Sequence, residues 1–381
     1  MSSKKKSVEV TAKSLRQEIL AHFKRVEQSS PGETKDYLRS LHEPAVQAEL
    51  LKSQKWITAN YPRYSKYFAD GSDIVPEKIK PVLIEVNDEH WANLFRLARL
   101  TWSLPFTRGY GRRLRYVLMD EANEKLIGVL GLQSPPLDFP VRDRLFNYPE
   151  ERKIELVNQT MDIYTLGAVP PYNRLLGGKL VALAAVSDEV RRAYSKKYIE
   201  TITEIDKRVL PARLVALTTT SAYGRSSIYN RLNYDDRAVA YSIGYTEGYG
   251  SFHLAPLYPL VCTFLKKSGE VTRGGFGVGP RIMWQNYKRV FRLLNLPGHL
   301  LKHGVKREAF LFPLSSNLEN YMNGKASRPI YYHQSFQDLA DWWRDRWLLT
   351  RAQRVDGWHA WDKEQIEQML IIRPERKALV K

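Results

Sequence analysis

Across 381 residues there is one cysteine, Cys262, which excludes an internal disulfide framework and a cysteine-rich zinc site. Long apolar runs are missing too. Stretches such as Leu180 to Val186 fall far short of the roughly 20 residues a membrane span needs. The opening MSSKKKSVEV has no apolar core for a signal peptide. These absences predict a cytoplasmic protein without a membrane partner. Catalytic signatures are equally scarce. No Gly-x-Ser-x-Gly nucleophile turn occurs. Among the histidines, only His299 and His303 have the four-residue spacing of a metal pair, but they enclose Leu300, Leu301 and Lys302 instead of a glutamate, so no metal is expected. The acidic pairs Glu150-Glu151 and Asp235-Asp236 are adjacent in sequence and would not face one another on a helix.

What the chain does have is positive charge. The formal net charge is +18. Residues 1–62 hold 11 basic and 7 acidic side chains, residues 63–265 hold 27 and 23, and residues 266–381 hold 21 and 11. More than half of the excess therefore lies in the last third, a distribution that favours a polyanion, above all nucleic acid. A hydrophobic content of 43% with nine tryptophans argues for a folded protein.

Apolar periodicity and turn residues suggest three units. Residues 1–62 read as a helical module, with helices near 13–26 and 36–57, the second interrupted at Pro44. Residues 63–260 read as an α/β core with a mixed sheet. Its strands fall at 82–86, 115–119, 126–132, 163–166, 212–220 and 239–243, with a helix following the first. Residues 261–381 read as a basic, aromatic-rich helical region. Its final stretch, 356–372, has an apolar edge suited to a contact between subunits, so homo-oligomerisation is open.

The core is organised around residues 161–194. A short alternating strand leads through Pro170-Pro171 and Tyr172-Asn173-Arg174 to Gly177-Gly178-Lys179. An apolar helical repeat begins there. A strand, a glycine turn and a helix start make a backbone anion site, to which Lys179 adds a charge. The other reading is that the two glycines only let helix and strand pack closely.

This order of elements resembles the Gcn5-related acetyltransferase fold. YVLMDEANEKLIGVLGLQ is similar to its central hairpin, and Arg174-Leu-Leu-Gly177-Gly178-Lys179 stands where that superfamily places Arg/Gln-x-x-Gly-x-Gly/Ala. The match holds at the first two fixed positions and departs at Lys179. The resemblance implies acetyl-CoA as a cofactor held by Arg174, Gly177, Gly178 and Lys179. It also implies Tyr229 of SSIYNRLNY as the acid for the leaving thiolate and Asp162 as a base.

A second resemblance covers nearly the whole chain. LFRLARLTWSLPFTRGYGRRLRYVLMDEANEKLIGVLGLQSP, YTLGAVPPYNRLLGGKLVALAAVSDEV, HGVKREAFLFPLSSN and WWRDRWLLTRAQR are similar to the DruA family of Druantia anti-phage systems. It implies antiviral defence beside other Druantia subunits, including a large helicase-like protein. It brings no agreed catalytic residues.

In the last third, Val271 to Arg307 holds eight basic residues and no acid. These are Arg273, Arg281, Lys288, Arg289, Arg292, Lys302, Lys306 and Arg307. IMWQNYKRVFRLL reads as a helix with Trp284, Tyr287 and Phe291 on one face and Arg281, Lys288 and Arg292 on another. The charges suit phosphates. The aromatics suit either stacking on unpaired bases or the core. The loop Gly274 to Pro280 lacks the Lys-Ser/Thr ending of a nucleotide-binding P-loop. In Trp342-Trp343-Arg344-Asp345-Arg346-Trp347, the tryptophans suit packing, and Arg344 and Arg346 are further nucleic-acid candidates. The expected function is a nucleic-acid-binding subunit with no cofactor; the alternative is an acyl-CoA-dependent N-acyltransferase.

Overall fold

The computed structural model describes residues 10–28, 35–105, 109–203, 207–246, 254, 257–270, 272, 280–301 and 306–372. The strands are β1 (Pro81–Glu85), β2 (Arg113–Asp120), β3 (Lys125–Gln133), β4 (Thr160–Ala168), β5 (Ala216–Thr220), β6 (Asn233–Tyr234), β7 (Arg237–Ala238), β8 (Tyr241–Tyr245) and β9 (Glu308–Pro313). Two helices precede β1, α1 (Ala12–Gln28) and α2 (Lys35–Tyr64), and α3 (Glu89–Leu100) follows it. Between β3 and β5 come α4 (Pro140–Asp143), α5 (Lys153–Asn158), α6 (Gly177–Ala184) and α7 (Asp188–Tyr198). Two more, α8 (Tyr258–Lys267) and α9 (Pro280–Leu293), lie between β8 and β9. The chain closes with α10 (Leu318–Met322), α11 (Phe336–Trp343), α12 (Leu349–Arg354) and α13 (Glu364–Leu370).

Seven strands form one mixed sheet in the order β1-β2-β3-β4-β5-β9-β8. Every pairing is antiparallel except β4 with β5. Alternation on β2 explains why the sheet is covered on both faces. Leu114, Tyr116 and Leu118 enter one core with α6, α7 and α11. Val117 and Met119 enter the other with α2, α3 and α13. Hydrophobic burial of such side chains is the main stabilising term.

Two features of β4 set the geometry of the centre. A bulge leaves Ile163 opposite Leu132 and Thr165 opposite Gly131, so Tyr164 is the extra residue. Its ring lies against Gly131, where a Cβ would come 2.7 Å from Tyr164 Cζ. Pairing between β4 and β5 covers Thr160–Asp162 against Ala216–Thr218 and stops there. Beyond Asp162 the two parallel strands part.

Several expectations change. The helix expected to break at Pro44 runs continuously as α2 through both Pro44 and Pro62 to Tyr64. The backbone bond lost at each proline is outweighed by the core contacts of Leu50, Ile57 and Tyr64 along its length. The connector at 61–81 buries Phe68, Ala69, Ile74 and Ile79 at the ends of short 3-10 turns. The apolar edge of 356–372 faces the protein's own core, with Trp361, Ile366 and Leu370 packed beside α2 and α3. It is thus an internal contact. β9 was not expected, and it joins β8 across residue 260. In the same way α1 packs on α8 and α9, in a cluster built by Leu15, Ile19, Val261, Tyr287, Val290 and Phe291. No helix among the described residues is long and apolar enough to cross a membrane.

Candidate functional site

The glycine loop enters α6 through Leu176, whose backbone is left-handed at φ 61. Gly177 is required there by space. A Cβ would stand 2.8 Å from the Tyr172 carbonyl oxygen and 2.9 Å from Ala168 Cβ. Its own N–H donates to the Tyr172 carbonyl at 2.9 Å, and the Lys179 N–H donates to Leu176 at 2.9 Å. Gly178 packs against Ile228, whose Cδ1 would be 3.1 Å from an added Cβ.

Lys179 turns its charge away from the helix start. Its Nζ donates to the carbonyls of Ile228 and Asn230, both at 3.1 Å, and lies 5.1 Å from the centre of the Trp347 ring. Burial, with help from Arg231, pulls the amine down to about 8. Arg174 donates to the Gly357 carbonyl and sits 5.4 Å from the Trp361 ring centre. From outside, Trp343 Nε1 donates to the Leu176 carbonyl at 3.0 Å and Arg351 Nε to the Arg174 carbonyl at 3.1 Å. The loop therefore offers carbonyl oxygens to the segment that covers it, the wrong polarity for a phosphate. Close packing accounts for these contacts.

Asp162 stands at the point where β4 and β5 part. Gln133 Nε2 donates to it at 3.0 Å and Thr218 Oγ1 at 3.3 Å. Burial pushes the carboxyl up to about 6, against the pull of those two hydrogen bonds. Tyr229 is buried with its ring against Phe310 and Phe312. Burial raises its phenol, and a hydrogen bond with Thr219 opposes the rise. The two groups named as base and acid share no hydrogen bond, since each is engaged by other residues.

The basic residues separate by environment. Arg273 and Lys302, and the side chain of Arg281, lie outside the described residues. The loop Gly274 to Gly279 lies outside them as well. On α9, Tyr287, Val290 and Phe291 are buried, so Tyr287 and Phe291 are core and offer no stacking face. Trp284 is half-buried under Lys288, whose ammonium is 5.3 Å from the ring centre. Lys288 and Arg292 are exposed, and neither has a carboxylate partner among the described residues. Arg289 is half-buried. Lys306 is exposed. Arg307, by contrast, is held inside, donating to His42 Nε2 at 3.2 Å, and burial lowers its pKa. His42 falls to about 4 through its own burial and the charge of Arg307. Arg344 is tied to Asp341 at 2.9 Å and Asp345 at 3.0 Å, whereas Arg346 is exposed. Phosphate contact thus fits Lys288, Arg292, Lys306 and Arg346, and does not fit Arg307 or Arg344. His299 is exposed, and no three metal-ligating residues cluster among the described residues.

One buried cation escaped the sequence reading. Arg99 on α3 is 3% exposed and reaches the bulged part of β4, where Nε donates to Thr165 Oγ1 at 3.0 Å. A signal existed. Arg99 follows Phe95 by four residues, which puts a charge on the apolar stripe of an amphipathic helix.

No solved structure matches the chain. The curated Druantia protein DruA of Escherichia coli (strain UMEA 4076-1) is 38% identical over 337 residues, which covers 87% of this chain and 83% of the relative. The family model described as Druantia protein DruA matches residues 32–324. That range takes in α2, the whole sheet and α9, so the match extends over the core and the basic helix alike, and the chain belongs to the DruA family.

Proposed function

We propose that this DruA-family chain serves Druantia anti-phage defence as a nucleic-acid-binding subunit that grips the phosphate backbone of DNA. The observation that carries the reading is the exposed stripe of α9. Lys288 and Arg292, both exposed and four residues apart, lie on the face opposite the buried Tyr287, Val290 and Phe291, and position 281 falls at the same helical spacing in the sequence. From position 281 to position 292 the helix rises about 16 Å at 1.5 Å per residue, a little more than the ~12 Å width of a major groove. It carries Lys288 and Arg292 without an acid to neutralise them among the described residues. Exposed cations on the neighbouring helices, Lys13, Arg16 and Lys24 on α1 and Lys266 on α8, extend the charge. The aromatics of α9 point inward, which favours phosphate contact over base stacking and duplex over single strand. Other Druantia subunits, a helicase-like protein among them, are the expected company.

The scaffold fits an acetyltransferase-like core whose cofactor loop has been given over to packing. In favour of that ancestry are the strand order, the single parallel pair β4–β5 and the glycine-started helix after β4. An active acyltransferase is the second reading, supported by the raised carboxyl of Asp162 beside the parting strands. Against it stand the covering of Arg174 and Leu176 and the engagement of Lys179 by Ile228 and Asn230. Anisotropy titrations with labelled duplex and single strand at rising salt, run beside calorimetry with acetyl-CoA, separate the two. The proposal expects duplex binding that weakens steeply with salt and no acetyl-CoA heat. Acetyl-CoA binding by a protein that ignores DNA at low salt supports the enzyme.

A further inference from the structure

Arg99 lacks what a buried guanidinium ordinarily has. Nε reaches the Thr165 hydroxyl at 3.0 Å, and one terminal nitrogen, NH2, reaches the Pro105 carbonyl at 3.1 Å. The other, NH1, is buried with no hydrogen-bond partner among the described residues. No carboxylate pairs with Arg99 among the described residues, and only the phenols of Tyr164 and Tyr223 oppose the loss of charge that burial imposes. Burying a cation without a counter-charge is costly, and such a site is stable when an anion completes it.

The surroundings fix the fork. The guanidinium stacks over Trp102 at 4.6 Å from the ring centre. Tyr223, whose phenol lies near enough to act on the Arg99 charge, bonds the hydroxyl of Ser103 at 2.8 Å. Thr165 accepts from Nε through its oxygen, so its own O–H remains a donor. A shallow recess lined by Val46, Leu50, Leu100, Trp102 and Leu104, with Glu49 on its wall, leads to the arginine. Thr165 is the residue that the β4 bulge redirects onto this face, just past the last β4–β5 pair. The arginine therefore sits where the sheet opens, on the face away from α6 and far from the α9 stripe in the sequence.

We propose that Arg99, with the Thr165 hydroxyl, forms a binding site for a phosphate group between α3 and the diverging strands, separate from the DNA-contacting stripe. NH1 and the threonine O–H are the donors that remain for an oxyanion oxygen, with the guanidinium charge beside them. The phosphate is either free or carried by a nucleotide, and entry requires the recess to widen.

The test is a thermal-unfolding and calorimetric titration of the full chain with inorganic phosphate and, in a second arm, with a nucleoside monophosphate. Chloride at matched ionic strength is the reference. Wild type should show saturable stabilisation, and the arm with the tighter midpoint identifies the source. Arg99→Gln should weaken the response at least tenfold and Arg99→Lys by less. Thr165→Val, which keeps the shape and removes the hydroxyl, should weaken it as well, and it guards against a variant that fails to fold. A Lys288→Ala/Arg292→Ala protein should keep the full response, which makes failure of this site distinguishable from failure of the DNA reading. Equal unfolding in phosphate, nucleotide and chloride, or a response retained in both Arg99→Gln and Thr165→Val, overturns the proposal and leaves NH1 to an ordinary buried water.

Discussion

At the residue scale, Gly177 and Asp162 show how one side chain, or its absence, is set by what surrounds it. A methyl group at Gly177 would meet a backbone carbonyl oxygen at 2.8 Å, and backbone cannot step aside as a flexible side chain can. Gly177→Ala should therefore destabilise by about 1–3 kcal/mol, the usual cost of overpacking, as read from urea unfolding. A value near zero would show that the helix slides to make room. Asp162 has a folded pKa of about 6, above its ordinary 3.8. Between those values the folded chain holds more protons than the unfolded one, so Asp162 lowers stability as pH rises from about 4 to about 6. Urea midpoints measured across that range should fall less for Asp162→Asn than for wild type. An identical pH trend in both proteins would mean that the carboxyl titrates normally.

At the scale of elements, α11 and the turn after it determine what the glycine loop does. Trp343 is fully buried against α6 and donates to the Leu176 carbonyl. Trp343→Ala removes both the packing and the bond and should cost about 3–5 kcal/mol, seen as a large fall in the unfolding temperature. Trp343→Phe keeps most of the volume and should lose less. This contact also marks the limit of what the sequence made legible. The hairpin β2–β3, the strand before the loop, the strand ending at Thr220 and the helix at 280–293 were readable because alternation and 3.6-residue spacing are local. β9 was not. Its run EAFLFP is buried from Glu308 to Phe312, so neither face leaves a polar beat to detect. The cover over Arg174 and Leu176 was equally hidden, since it comes from residues 343–361, more than 160 positions away. A glycine pair before a helix looks the same in sequence whether a phosphate or a tryptophan lies opposite its carbonyls. For the basic residues, composition marked a region, but Arg307 and Arg344 needed the fold to show one inside and the other paired.

At the scale of the whole molecule, the parts fit a division of labour. A sheet covered on both faces holds the chain together; its parting strands carry Asp162, and the buried Arg99 reaches them from α3. The cluster of α1, α8 and α9 lies outside that sheet's two main cores, with its aromatic side turned inward and its charges outward. If the helix grips DNA as proposed, counterion release makes each phosphate contact add about one unit to the slope of log affinity against log salt. Anisotropy of a labelled duplex, measured at several salt concentrations for wild type and for Lys288→Ala/Arg292→Ala, tests this most directly. The account predicts weaker binding by the variant at every salt concentration and a slope shallower by about two, with unfolding unchanged. Equal affinity and equal slope in the two proteins would contradict it and remove α9 from the DNA contact.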